Sequence, residues 1–278
     1  MTANTVEPAI AGRLEAALAA TRLAATETLA WFGRTGLVVD LKADDSPVTQ
    51  ADRAAEAVLR RALLGRFPED AFLGEETGGT PGTSGFEWIV DPIDGTKSFI
   101  RGVPLYATLV GCRRDGRGVL GVIAMPALDE SVYAARGGGA WHVCGAGTPV
   151  AARVSMRTSL REALLCSSDF TSFARWSGGA DAGNAARGRL ETACGVARTW
   201  GDGYGYLLVA TGRADMMVDP LMNAWDAAAV ETVVTEAGGR FTDWGGRDRI
   251  DSGDGVATNG LLHDAVLTCL RPAAAVSE

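Results

Sequence analysis

The chain has 278 residues, 47% of them hydrophobic, and 34 acidic against 26 basic side chains leave a formal charge of −8. That is enough apolar material for one large α/β domain or two closely packed halves, and an acidic balance that argues against nucleic acid as a main partner. No apolar run approaches the ~18 residues needed to cross a bilayer.

Taken in chain order, Ala9 to Phe32 is rich in Ala and Leu and predicts a long helix. Leu37 to Leu41 reads as a strand. Thr49 to Arg66 predicts a second helix, stopped before Pro68, with Thr49 and Asp52 at the spacing of a capping box. Ala71 to Leu73 is a short apolar strand that runs into Gly74-Glu75-Glu76. Thr77 to Gly85, rich in Gly, Thr and Ser, reads as a mobile loop. Trp88 to Val90 begins a buried strand. Leu105 to Arg113 and Gly118 to Ala124 form a hairpin through Asp115-Gly116. Ser131 to Ala135 and Ala140 to Val143 are strands around Gly137-Gly138-Gly139. In the second half, Ala163 to Cys166 is a strand, Gly201 to Thr211 a helix, Ala214 to Val218 a strand and Ala224 to Ala237 a helix ended by Gly238-Gly239. Arg240 to Thr242 and Gly255 to Thr258 close as strands and Leu261 to Leu270 as a final helix. A soft boundary near Ala146 to Val150 separates halves 1–146 and 147–278.

The segment Asp91-Pro92-Ile93-Asp94-Gly95-Thr96 carries the most chemistry. Pro92 interrupts the strand's hydrogen bonding and Gly95 permits a tight turn, which brings two carboxylates together and exposes the Ile93 carbonyl. Two carboxylates, a carbonyl and the Thr96 hydroxyl make an all-oxygen set suited to a hard cation such as Mg²⁺. The competing structural reading is a strand followed by an Asp-Gly turn, with Asp94 capping a helix. Glu75 and Glu76 at a strand end read equally as a solvated loop, and Asp226, after Trp225, as a helix cap. Only two histidines are present, His142 and His263, which excludes a multi-histidine metal site. The five cysteines contain no C-x-x-C pair and read as reduced structural thiols. Met1 to Pro8 lacks the basic-then-apolar pattern of a secretion signal, so a cytoplasmic location is expected.

As a set, Ser46 to Asp52, Gly74-Glu75-Glu76, Asp91 to Thr96 and Trp225-Asp226 resemble the inositol monophosphatase superfamily of Mg²⁺-dependent, Li⁺-sensitive phosphatases. Order and approximate separations agree over nearly the whole chain, as far as Gly255 to Gly260. The stretch Asp94 to Pro104, with Lys97-Ser98-Phe99 where inositol-type members usually carry Thr-Asn-Phe, resembles the histidinol-phosphate phosphatase branch, as does Trp200 to Tyr206.

The resemblance implies a mixed α/β fold, a layered αβαβα sandwich of the inositol monophosphatase and fructose-1,6-bisphosphatase type, with the metal site between the halves. Most metal ligands would lie in 1–146, with Asp226 and the leaving-group contacts in 147–278. It implies two or three Mg²⁺ ions. Glu75, Asp91 and the Ile93 carbonyl would hold the first, and Asp91, Asp94 and Asp226 the second. Glu75 and Thr96 would orient the attacking water, with Asp52 in an outer or third-metal role. The N–H groups of Gly95 and Thr96 would cradle phosphate, with Lys97 beside them. Asp202, Asp219 and Asn223 would touch the leaving group. Lys42 matches a lysine near the cluster, although the loop after it is shorter than in inositol-type members. The expected partner is a small phosphorylated metabolite; no nucleic acid or membrane partner is expected, and a homodimer is.

Hydrolysis of histidinol phosphate in histidine biosynthesis is the leading expectation, with inositol-1-phosphate as the alternative and a nucleotide 3′-phosphatase more distant. A haloacid-dehalogenase mechanism is disfavoured, since Asp91 and Asp94 are three residues apart rather than two. A metal-bound module without turnover is disfavoured by the intact acidic set.

Overall fold

In the computed structural model the described residues are 6–34, 36–42 and 47–271; Met1 to Thr5 and Ala43 to Ser46 lie outside them, so the first residue of the Ser46 to Asp52 segment is not placed. An eight-stranded sheet carries the first part of the chain, in the order β10-β9-β8-β7-β6-β5-β3-β4. Its strands are β3 (Ala71–Gly74), β4 (Gly78–Thr80), β5 (Phe86–Asp94), β6 (Ala107–Arg114), β7 (Arg117–Met125), β8 (Glu130–Ala135), β9 (Gly139–Cys144) and β10 (Val150–Ala152). A separate short hairpin pairs β1 (Val39–Leu41) with β2 (Pro47–Thr49). The second sheet has five strands in the order β12-β11-β13-β15-β14: β11 (Leu164–Cys166), β12 (Val196–Arg198), β13 (Met216–Met222), β14 (Arg240–Thr242) and β15 (Gly253–Thr258).

Helices fill the layers between and outside the sheets. α1 (Pro8–Trp31) starts with proline at its first turn and buries Ile10, Ala16, Ala17, Ala20 and Ala24, a single face at helical spacing. That face packs with Ala55, Leu59 and Leu63 of α2 (Gln50–Arg66) against Phe72, Trp88, Val90 and Val110 of the large sheet. On the other face of that sheet, Ile89, Leu109 and Ile123 meet α5 (Gly203–Ala210) and α6 (Ala224–Glu236). The same core takes in Cys166, Met217 and Ala257 of the second sheet, so α5 and α6 are sandwiched. α4 (Ala180–Ala193) and α7 (His263–Leu270) cover the far side through Ala186, Leu190, Val266 and Leu270. The layering is αβαβα, as the resemblance implies.

The Asp115-Gly116 hairpin forms with φ of 50° and 76°, the left-handed pair a tight turn between twisted strands requires. One expectation changes. The polar stretch after Glu76 is not all loop, because β4 pairs with β3. Arg60 holds it there, donating to Thr80 Oγ1 at 2.6 Å, Thr77 Oγ1 at 2.7 Å and the Gly78 carbonyl at 3.1 Å. Asp219 and Pro220 lie inside β13, at a register shift that spans Asp219 to Met222. Such an irregularity is where a strand admits proline.

Candidate active site

β5 explains how two aspartates three residues apart reach one place. Asp91 pairs with Leu109 and Asp94 with Ala107, so β5 advances three residues while β6 advances two. Residues three apart on a regular strand face opposite sides; the extra residue restores Asp94 to the side of Asp91. Asp91 accepts the Ile93 N–H at 2.9 Å, and Thr108 Oγ1 donates to the Pro92 carbonyl at 2.9 Å, tying the irregular backbone down. Gly95 then takes φ of 86° and opens the short helix α3 (Thr96–Ile100).

Asp226 arrives from the first turn of α6, where its carboxylate accepts the Asn223 N–H at 2.7 Å. It caps the helix and also meets the strand: carboxylate oxygens of Asp91, Asp94 and Asp226 lie within 4.8 Å of one another. Asp94 is further held by the N–H of Gly203, 2.5 Å away at the start of α5. Thr96 Oγ1 sits 3.1 Å from the Ile93 carbonyl and 3.3 Å from Asp52 Oδ1. Asp52 is almost fully buried and accepts from Thr49 N–H at 2.8 Å and Thr49 Oγ1 at 2.6 Å, so the capping box forms as the sequence predicts.

The Glu75-Glu76 loop closes the other side. Lys42 Nζ reaches Glu75 Oε1 at 2.6 Å and Glu76 Oε1 at 2.7 Å. Burial works to lower the Lys42 pKa, but the two carboxylates outweigh it and hold the ammonium above its usual range. Beneath the loop, the fully buried Glu56 accepts the N–H groups of Glu76 at 2.7 Å and Thr77 at 2.9 Å.

The electrostatics are lopsided. Burial, then Glu75, Asp94 and Asp226, push Asp91 well above the carboxylate range. Burial, Asp202 and Asp226 do the same to Asp94. Burial with Glu75 and Asp202 nearby takes Asp226 up to about 7, against the stabilising Asn223 N–H. Burial raises Asp52 and Glu76 too. So many desolvated carboxylates repel one another unless a cation neutralises them. The donor set is all oxygen, and it fits a hard divalent ion.

Asp202 lies over the turn at Gly95. A side-chain carbon added at Gly95 would come within 2.7 Å of Asp202 Oδ2. Its backbone, at φ 50° and ψ −148°, occupies a region nearly restricted to glycine. Burial, then Asp219, raise its carboxyl to about 6, with Lys97 opposing. Asp219 itself is buried and occupied: it accepts from Ser168 N at 2.8 Å, Ser168 Oγ at 3.1 Å, Ser167 Oγ at 3.3 Å and Tyr206 OH at 2.8 Å. Ser168 Oγ also stands 3.0 Å from the Asp202 N–H. Asp219 thus steadies the strained Asp202 backbone through Ser168 and lies behind it. Lys97 and Asn223 are exposed at the rim.

Sequence reasoning missed Gly203, Glu56, Ser168 and Tyr206. Gly203 and Tyr206 left a trace, since both belong to the run Trp200 to Tyr206; a side-chain carbon at Gly203 would press on Ala107 at 2.6 Å and Asp94 at 3.0 Å.

A layered α/β fold carrying an acidic cluster at the joint of a strand bulge and two helix starts defines a class of proteins whose site is suited to hard cations. The chain belongs to the inositol monophosphatase family, whose pattern it matches over residues 11–274. It is 45% identical over 242 residues to a histidinol-phosphatase of Mycobacterium tuberculosis, covering 86% of this chain and 90% of that protein. It is 35% identical to an inositol-1-monophosphatase of Mesorhizobium japonicum, covering 86% and 89%. The structure is similar to that of the extragenic suppressor protein suhB from Bartonella henselae, with a TM-score of 0.84, 28% identity, and 95% and 100% of the two chains covered.

Proposed function

We propose that this protein hydrolyses a small phosphate monoester with the help of bound Mg²⁺, and that the ester is histidinol phosphate. The observation that carries the reading is the convergence of the buried Asp91 with the half-buried Asp94 and Asp226 beside Glu75. Glu75, Asp91, the Ile93 carbonyl, Asp94 and Asp226 are the residues that would hold two ions, with Asp52 at the edge for a third. Bound there, the ions supply positive charge to the reacting phosphate and acidify water near neutral pH.

The protein's own groups do the positioning. Thr96, held by the Ile93 carbonyl and Asp52, directs its hydroxyl at the attacking water, and Glu75 accepts that water's proton. The N–H groups of Gly95 and Thr96 face the phosphate, with Lys97 alongside. Asp202, steadied by Ser168 and Asp219, meets the leaving group. Histidinol carries a cationic amine, which gains a charge-assisted hydrogen bond from that carboxylate; a neutral polyol gains only an ordinary one. The histidinol-phosphatase among the relatives favours the same substrate. Inositol-1-phosphate is the second reading, favoured by the inositol-1-monophosphatase relative. A cytoplasmic location, which rests on the pattern of Met1 to Pro8, belongs to the same reading, as do sensitivity to Li⁺, a homodimer and a role in histidine biosynthesis, which rest on the family resemblance.

The test is phosphate release from histidinol phosphate, inositol-1-phosphate, fructose-1,6-bisphosphate and adenosine-3′,5′-bisphosphate, with and without chelator. Chelation is expected to abolish turnover, and histidinol phosphate to have the highest kcat/KM. Asp202→Asn is expected to cost histidinol phosphate about 1–3 kcal/mol of transition-state binding and inositol-1-phosphate less. Asp219→Asn is a poorer probe, because it disturbs four hydrogen bonds at once. Equal losses for both substrates, or a wild type that prefers inositol-1-phosphate, would overturn the histidinol assignment; full activity after chelation would overturn the metal site.

A further inference from the structure

Glu130, His142 and Cys144 form a second set of ligating groups outside the acidic cluster. In the antiparallel ladder of β8 and β9, Glu130 pairs with Cys144 and Val132 with His142. His142 and Cys144 are two residues apart on one strand and share a face with Glu130. That face is the one on which Val132, Ala134 and Ala140 pack toward α5 and α6. β8 lies three strands from β5 in the sheet, about 14 Å across at the usual spacing, so the set is separate from the active site.

We propose that Glu130, His142 and Cys144 bind one thiophilic divalent cation, with Zn²⁺ as the natural occupant and water completing a tetrahedron. His142 Nε2 stands 2.6 Å from Glu130 Oε1 and 3.5 Å from Cys144 Sγ, and Cys144 Sγ is 3.9 Å from Glu130 Oε1. Both neighbours meet the same ring nitrogen, and the Cys144 thiol also points at Glu130 Oε1, so the three ligating atoms converge on one point that one cation can occupy. Ideal tetrahedral zinc places S and N about 3.5 Å apart, S and O about 3.5 Å, and N and O about 3.3 Å. Two of the three separations already lie within a few tenths of these values. The third opens by about 0.7 Å as the ion replaces the histidine–glutamate hydrogen bond.

The thiolate and imidazole choose the metal. They favour Zn²⁺ and Co²⁺ and disfavour the Mg²⁺ suited to the all-oxygen cluster. The charges of a thiolate, a carboxylate and the ion cancel. Arg213 Nη2 stands 2.6 Å from Glu130 Oε1; with the ion bound it would pair with the carboxylate's other oxygen and orient it from outside. Cys144 is exposed, so the ion has an entry path. Bound, it staples the end of the β8–β9 ladder just before the Gly145-Ala146-Gly147 turn.

The experiment is titration of the full-length protein with Co²⁺ in excess Mg²⁺ and a non-thiol reductant. Filling the acidic cluster with Mg²⁺ leaves the thiol site to report. One equivalent of Co²⁺ is expected to raise a thiolate-to-cobalt charge-transfer band with intense tetrahedral visible bands, and Zn²⁺ to displace them. Cys144→Ser is expected to abolish the charge-transfer band, and His142→Gln to raise the Kd at least tenfold, with unchanged circular dichroism in both. Asp91→Asn is expected to keep the band. Absence of the band in the wild type, its survival in Cys144→Ser, or an unchanged Kd in His142→Gln each overturns the site.

Discussion

Asp91 is the residue on which most depends. It is buried, follows the strand core directly and faces both other aspartates. Asp91→Asn removes one charge that two ions would share, so kcat is expected to fall by roughly a thousandfold or more in Mg²⁺. The same change relieves repulsion in the metal-free protein, whose melting temperature in chelator is expected to hold or rise. Steady-state kinetics and calorimetry check the two halves, and a near-normal kcat would reduce Asp91 to a turn residue. Thr96→Ala separates two roles of one hydroxyl. If it orients water, kcat falls while KM changes little; if it serves phosphate binding or α3, KM rises instead. A KM effect with kcat intact would refute the assignment. Both residues were legible in the sequence, because proline, glycine and paired acids are local signals. The strain at Asp202 was not, since positive φ at an aspartate depends on what packs around it.

At the scale of elements, the site is a meeting of ends: the bulged end of β5 and the first turns of α5 and α6. Gly203 is where α5 touches the cluster. Gly203→Ala drives a methyl toward Ala107 and Asp94 and pushes away the N–H that Asp94 accepts. The expected result is a stability loss of about 1–3 kcal/mol from overpacking. A fall of about a hundredfold in kcat/KM is expected alongside it, from displacement of the Asp94 carboxylate by a fraction of an ångström. Urea denaturation and kinetics test it, and unchanged values in both would show that α5 does not position Asp94. Element existence followed from periodicity for the long helices α1, α2 and α6. β4 did not, because its pairing rests on Arg60 reaching across from α2.

At the scale of the molecule, one buried histidine reports on the integrity of the outer layer. His263 lies between Thr242 Oγ1, 3.0 Å from Nε2, and Thr258 Oγ1, 3.0 Å from Nδ1. Burial, with Arg240 nearby, lowers its pKa to about 4. Between that value and the unfolded value near 6.5, the unfolded chain binds more protons, so stability rises with pH through this window and is fully present above it. On acidification from about pH 7 to about pH 4.5, the wild type is expected to lose up to about 3 kcal/mol through this group. His263→Gln is expected to be less stable near neutrality, with the gap to wild type closing as pH falls. Urea denaturation across that range checks it; a constant gap would show that His263 is not buried neutral. The layers also explain how residues remote in sequence meet, because α5 and α6 lie between the two sheets and bring Asp202 and Asp226 to β5.

What the sequence determined by itself is what nearby residues dictate: the helices with an apolar face, the strand running into Asp91, the capping box at Asp52, the helix start at Asp226, and an all-oxygen ligand set suited to a hard cation. What only the tertiary structure decided is what depends on distance in space. It gave Asp219 its hydrogen bonds to Ser167, Ser168 and Tyr206, gave Asp94 its partner at Gly203 and seated Lys42 on Glu75 and Glu76. It also placed His142 and Cys144 against Glu130, although no spacing in the chain marks them as a set. The reason is physical: backbone propensities and turn chemistry act over a few residues, whereas burial, charge repulsion and hydrogen-bond satisfaction are set by whichever surfaces the packed layers bring together.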